Sequence, residues 1–154
     1  MKKSLLLLSA LIFISCAGRQ VVKFERYSVS MILPVEADST VYVGTPEKFV
    51  GVLSIEPILK AENVKIQSIK VIENFGIFFV CADQFQHIWM IEPRGDGMTA
   101  RYKAIDVTPD DKTDRMSDTG FSRYGSDDNV CIKFRNSQNE VFINKKGKID
   151  EECK

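Results

Sequence analysis

A single histidine, four cysteines and a run of aspartates are the residues through which this 154-residue chain could do chemistry. His87 is the only imidazole, so any Ser-His-Asp or Cys-His arrangement must pass through it. It lies in the strand-like stretch Gln86-His87-Ile88-Trp89-Met90-Ile91, on one face with Trp89 and Ile91, where a packed or half-exposed strand histidine is expected. One histidine cannot make a two-His metal site, and no cysteine pair has the C-x-x-C spacing of zinc or redox motifs. Neither a metal nor a cofactor is expected.

The carboxylates give no stronger motif. Asp118-Thr119-Gly120 spells the tripeptide of aspartic proteases, but there the Asp ends an apolar strand and shares a proton with a second buried carboxylate. Here polar residues precede it, so Asp118 is expected to be solvated. Asp110, Asp111, Asp114, Asp118, Asp127 and Asp128 crowd one stretch without the D-x-D-x-D-G order of a calcium loop. That stretch reads as an acidic solvated loop, with Asp110, Asp111, Asp114, Asp118 and Tyr124 as its candidate binding residues. Arg94-Gly95-Asp96 matches the integrin tripeptide, but turn geometry accounts for its glycine. Trp89, Tyr102, Phe121 and Tyr124 would offer a contact surface wherever they are exposed.

Cys16 has a different context. Lys2 and Lys3 precede an uncharged run over residues 5–14, followed by Ser15-Cys16-Ala17. A run of about ten apolar residues is half the length a membrane span needs, and the basic, apolar, small-residue order is that of a secretory signal. A cysteine directly after the small residue resembles the lipobox of bacterial lipoproteins. The resemblance covers about twenty residues and departs from the usual box at Phe13 and Ile14. It implies cleavage before Cys16, a diacylglycerol on its thiol and an acyl chain on the new amino group, together a stable membrane anchor. Ala17 is not the Asp that retains many such proteins in an inner membrane. The implied address is therefore the cell envelope, at the outer membrane where a cell has two.

Positions 1–15 are thus read as signal, 16–20 as lipidated tether and 21–154 as one β-rich domain, a size sufficient for a core without metal or disulfide. The chain carries 21 basic and 21 acidic residues. Losing Lys2 and Lys3 leaves a slight acidic excess, with no basic footprint for nucleic acid. Cys81 lies in the apolar run Ile77-Phe78-Phe79-Val80-Cys81 and is expected to be buried. An oxidising compartment allows one disulfide among the rest with one thiol left over; if a bridge forms, Cys131–Cys153 is the favoured pair.

The elements that must position these residues read as short strands: residues 21–24, 27–33, 40–43, 64–72 with a bulge at Ser68, 77–82, 87–92, 98–105, 130–135 and 140–144. Thr45-Pro46-Glu47 looks like a helix start, predicting one or two helical turns within 46–59, and Thr108-Pro109 could cap another. Residues 106–129 read as the longest loop. Residues 78–90 and 131–143 echo one another at a shift of 53, Asp83 falling on Asn136, Ile88 on Val141 and Trp89 on Phe142. Such periods suggest propeller blades, yet propellers need about four; two similar hairpins in one domain is the simpler reading.

The expected fold is mainly β, a single small antiparallel sandwich or barrel-like domain of about nine strands with one or two short helical turns. The expected function is non-catalytic: a lipid-anchored envelope protein that binds a protein or glycan partner, with the loop at 106–129 as contact. An inhibitor or immunity protein that blocks an enzyme or toxin is the alternative.

Overall fold

The computed structural model describes residues 30–45, 48–94, 100–107, 114–125, 130–144, 146–150 and 152–153. Its fold is mainly β, and the described residues form eleven strands and one helix. Five strands form one antiparallel sheet in the order β1 (Met31–Pro34), β4 (Ser68–Asn74), β5 (Ile77–Cys81), β6 (Ile88–Pro93), β7 (Ala100–Ile105). A second sheet runs β11 (Ile149–Asp150), β10 (Glu140–Ile143), β9 (Cys131–Arg135), β8 (Gly120–Tyr124). The hairpin of β2 (Thr40–Thr45) and β3 (Lys48–Ser54) stands apart, followed by α1 (Glu56–Glu62). Among the described residues no sheet closes into a barrel.

Strand register shows how the pieces stack. In the five-stranded sheet, Met31, Val71, Val80 and Trp89 form one row on one face, and Ile72, Phe79, Met90 and Lys103 form another on the opposite face. The Trp89 face meets the first layer: the Trp89 indole bonds to Glu62 of α1, and the Tyr102 hydroxyl donates to the Ser54 carbonyl. The Met90 face meets the four-stranded sheet: Lys70 bonds Thr119, and Arg123 donates to Asn74. The described residues therefore form three layers, hairpin and helix, then five-stranded sheet, then four-stranded sheet, which follow the sequence except that β1, ahead of the hairpin, joins the middle sheet.

This stacking explains a middle sheet apolar on both faces. Val41, Val43 and Ile58 fill one side, Phe121, Ile132, Phe134 and Ile143 the other, and all belong to one buried cluster. Gly147 shows how closely the outer layer docks. At φ +67 an added Cβ would lie 2.8 Å from the Met90 sulfur and 3.3 Å from Ile105 Cδ1, so only glycine fits this turn. α1 is too short to persist alone. It lacks a side-chain N-cap, ends with Asn63 in the left-handed conformation, and buries Ile58 and Glu62.

Several sequence expectations are corrected. Residues 48–54 form β3, and the helix comes later, at Glu56–Glu62. The aromatic and β-branched residues after Pro46 pair back on β2, with a register shift between Val43 and Gly44. No strand covers residues 64–67; β4 starts at Ser68, where the bulge was expected. β8 lies inside the stretch read as one long loop, and β11 follows a turn where no strand was expected. The two echoing segments are the central hairpins, β5–β6 and β9–β10, of two four-stranded meanders. The signal and tether, the strand at 21–24, residues 27–29 and the turn at Thr108 lie outside the described residues.

Candidate binding surfaces and polar centres

The sequence candidates do not converge. Asp114 and Asp118 are exposed, Asp118 with a left-handed φ of +53. Tyr124 lies at the far end of β8, about 20 Å from Asp118 at the usual strand rise. Asp110, Asp111 and Cys16 fall outside the described residues. Nor is the stretch around Asp114 a free loop. Met116 is buried; its N–H donates to the Phe85 carbonyl at 2.8 Å and its carbonyl accepts from Gln84 N–H at 2.7 Å. The Ser117 carbonyl takes a bond from Ser137 N–H, and Arg115 donates to the Gln84 carbonyl at 2.6 Å. Residues 115–119 are a strap across the turns of both central hairpins.

His87 and Trp89 belong to a structural centre that no local sequence pattern announced. The Glu62 carboxylate is only 1% exposed, as a charge stripped of water must be fully bonded. It accepts from Gln86 N–H at 2.6 Å and from the Trp89 indole at 2.7 Å, and lies 2.9 Å from His87 Nδ1. His87 Nε2 lies 3.2 Å from an Asp106 oxygen. Both ring nitrogens thus face carboxylates, leaving neither free to take a proton from a substrate.

A second centre joins the middle and outer sheets. Lys70 Nζ donates to the Thr119 carbonyl and hydroxyl and sits 3.3 Å from Asp83 Oδ1. That same oxygen accepts from Thr119 N–H at 3.1 Å and from its hydroxyl at 2.8 Å. Burial pulls the Asp83 carboxyl upward, but the Thr119 bonds and the Lys70 charge together hold it below its ordinary value. Cys81, buried and unbridged beneath this centre, has its thiol pushed up to about 12 by burial, against weaker pulls from Thr119 and Lys70. At that value the thiolate is negligible near neutrality, so the residue is an inert filler.

The remaining candidate is the outer face of the four-stranded sheet. Alternation turns Phe121, Ile132, Phe134 and Ile143 inward and Ser122, Tyr124, Lys133, Glu140 and Phe142 outward. Tyr124, 53% exposed, packs its ring 5.0 Å from that of Phe142. Lys133 lies 5.9 Å over the Phe142 ring and 2.7 Å from Glu140. Cys131, on the same face and buried, is joined to Cys153, whose sulfur also lies 3.9 Å from the Tyr124 carbonyl. Of the four aromatics expected to offer a surface, only Tyr124 does so. Phe121 is core, and Trp89 and Tyr102 are spent on internal bonds.

Among the described residues no three His, Cys, Asp or Glu side chains are grouped to hold a metal, and no helix is long and apolar enough to cross a membrane. No family model, curated protein or solved structure matches this chain.

Proposed function

We propose that this is a lipid-anchored cell-envelope protein, held through an acylated Cys16, that binds a protein partner without catalysis through the outer face of its four-stranded sheet. One observation carries the contact surface. The middle sheet is covered on both faces, whereas the last sheet exposes Tyr124 beside Phe142 and, Cys153 at Cys131 apart, has no described strand or helix over that face. Stacked folds end in polar capping faces when nothing follows, and an aromatic pair rimmed by Lys133, Glu140 and Arg135 has the composition of an interface centre. Anchoring rests on the lipobox resemblance of residues 1–17.

The test is affinity retrieval from envelope extracts with the full chain and with a Tyr124→Ser, Phe142→Ser variant, read by mass spectrometry. A partner retained by the native chain and lost from the variant is expected; equal retrieval by both refutes the surface. Separately, Cys16→Ala should abolish acyl labelling and leave a longer precursor. A second reading, an inhibitor that inserts an acidic segment into an enzyme, draws on the rigid strap that presents Asp114 and Asp118. It predicts a hydrolase or toxin whose binding survives the Tyr124 variant and fails in Asp114→Ala, Asp118→Ala.

A further inference from the structure

The turn after β5 is built more rigidly than a hairpin connection requires. Gln84, not a glycine, sits at φ +78, a conformation that costs a side-chain-bearing residue about 1 kcal/mol or more. It is held there from both sides, its N–H by Met116 and its carbonyl by Arg115. Asp83 beside it is fixed through one oxygen by Thr119 and Lys70. These anchors leave the outward parts of the turn unused: Asp83 Oδ2 and the Gln84 carboxamide make no bond within the described residues.

Both residues form one wall of a cavity of about 360 Å³, whose other walls are Lys65, Gln67 and Ser68, with Ile66 and Ala82 as the apolar part. The volume falls near the lower end of the range for small-molecule sites, roughly 300–1,000 Å³. The side chains of Lys65, Gln67 and Ser68 likewise have no protein partner among the described residues. Lys70, by contrast, spends its three protons on Asp83 and Thr119 and is not available to a ligand.

The geometry points to this cleft as a binding site for an acidic saccharide. Two carboxamides, a hydroxyl and a free carboxylate oxygen offer donors and acceptors of the kind that hydroxyl groups pair with. The Lys65 ammonium is the one unneutralised charge in the lining, so it selects a carboxylate or phosphate on the same ligand. The small apolar surface of half-buried Ile66 suits the C–H face of one sugar ring. The site is separate from the outer sheet face and holds whether or not that face binds a protein.

The full chain in detergent is titrated by calorimetry with three probes: a hyaluronan tetrasaccharide (carboxylate), glucose 6-phosphate (phosphate) and maltotetraose (neutral). Binding of at least one acidic probe is expected, at least about tenfold tighter than maltotetraose, and which of the two binds identifies the anionic group. Lys65→Ala, at an exposed residue with no described partner, should abolish that preference. Gln84→Asn, which keeps a residue tolerant of left-handed φ, should weaken the acidic probe by about tenfold. No binding by either acidic probe, equal binding of maltotetraose, or binding unchanged in both variants overturns the proposal.

Discussion

Glu62 and Asp83 stand on opposite sides of the same five-stranded sheet, and each accepts three hydrogen bonds. Glu62 uses both oxygens and is sealed: its side chain is fully buried, and its donors come from the strand entry and strand that α1 covers. Asp83 gathers all three donors on one oxygen, stays 55% exposed and turns the other oxygen to a cleft. One carboxylate fastens a helix that is too short to hold itself; the other shapes a turn and keeps bonding capacity in reserve. The bond count is equal, so the difference in role comes from burial, which decides what losing the group costs.

That contrast orders the expected effects. Replacing Glu62 by Leu leaves three part-buried donors without their acceptor, and urea unfolding should show a loss of about 3 kcal/mol. Trp89 is the only tryptophan, so its fluorescence reports directly on the detached indole. A loss under about 1 kcal/mol would mean that the helix is held by the apolar packing of Ile55, Ile58 and Leu59. Thr119→Val removes a buried hydroxyl and two of its bonds at the other centre, and should cost about 1–2 kcal/mol by the same measurement.

Asp83→Asn should cost less than about 1 kcal/mol at neutral pH, because the Asp83 side chain is 55% exposed and solvent screens its charge. The sign of its pH dependence is fixed by the lowered pKa. The carboxylate's contribution is complete above its ordinary value of 3.8 and fades as pH falls through the lower folded value. The stability gap between native chain and Asp83→Asn should therefore close in acid; a gap that widens there contradicts the Thr119 and Lys70 bonding. The smallest effect is chemical. In a Cys16→Ser chain, Cys81 should resist alkylation at pH 8 until the protein is unfolded, and ready labelling of the native state would contradict its burial.

What could be read from sequence follows the range of the interactions. The strands from Ile77 to Cys81, from Cys131 to Arg135 and in their return partners are continuous or alternating apolar runs, so their class and their mutual echo are local properties. β8 escaped because its inward positions are Phe121 and Arg123. An arginine turned inward to meet Asn74 and the Glu73 carbonyl destroys the hydrophobic alternation by which a strand is recognised. Pro46 misled because a proline after threonine suits a hairpin connection as well as a helix start. Glu62 had no signal at all, since its donors lie 24 to 27 residues away and meet it only when helix and sheet pack. The strap at residues 115–119 is equally invisible, a polar segment ordered by the backbones of two distant turns.

The claim that the outer sheet face is the working surface is most directly tested by photo-crosslinking in intact cells. A photoreactive amino acid at Ser122, which points outward on the edge strand β8 two residues before Tyr124, is compared with one at exposed Ser137 on the β9–β10 turn. The account predicts one discrete protein adduct from position 122 and none from 137. No adduct at 122, or the same adduct from both positions, would contradict it.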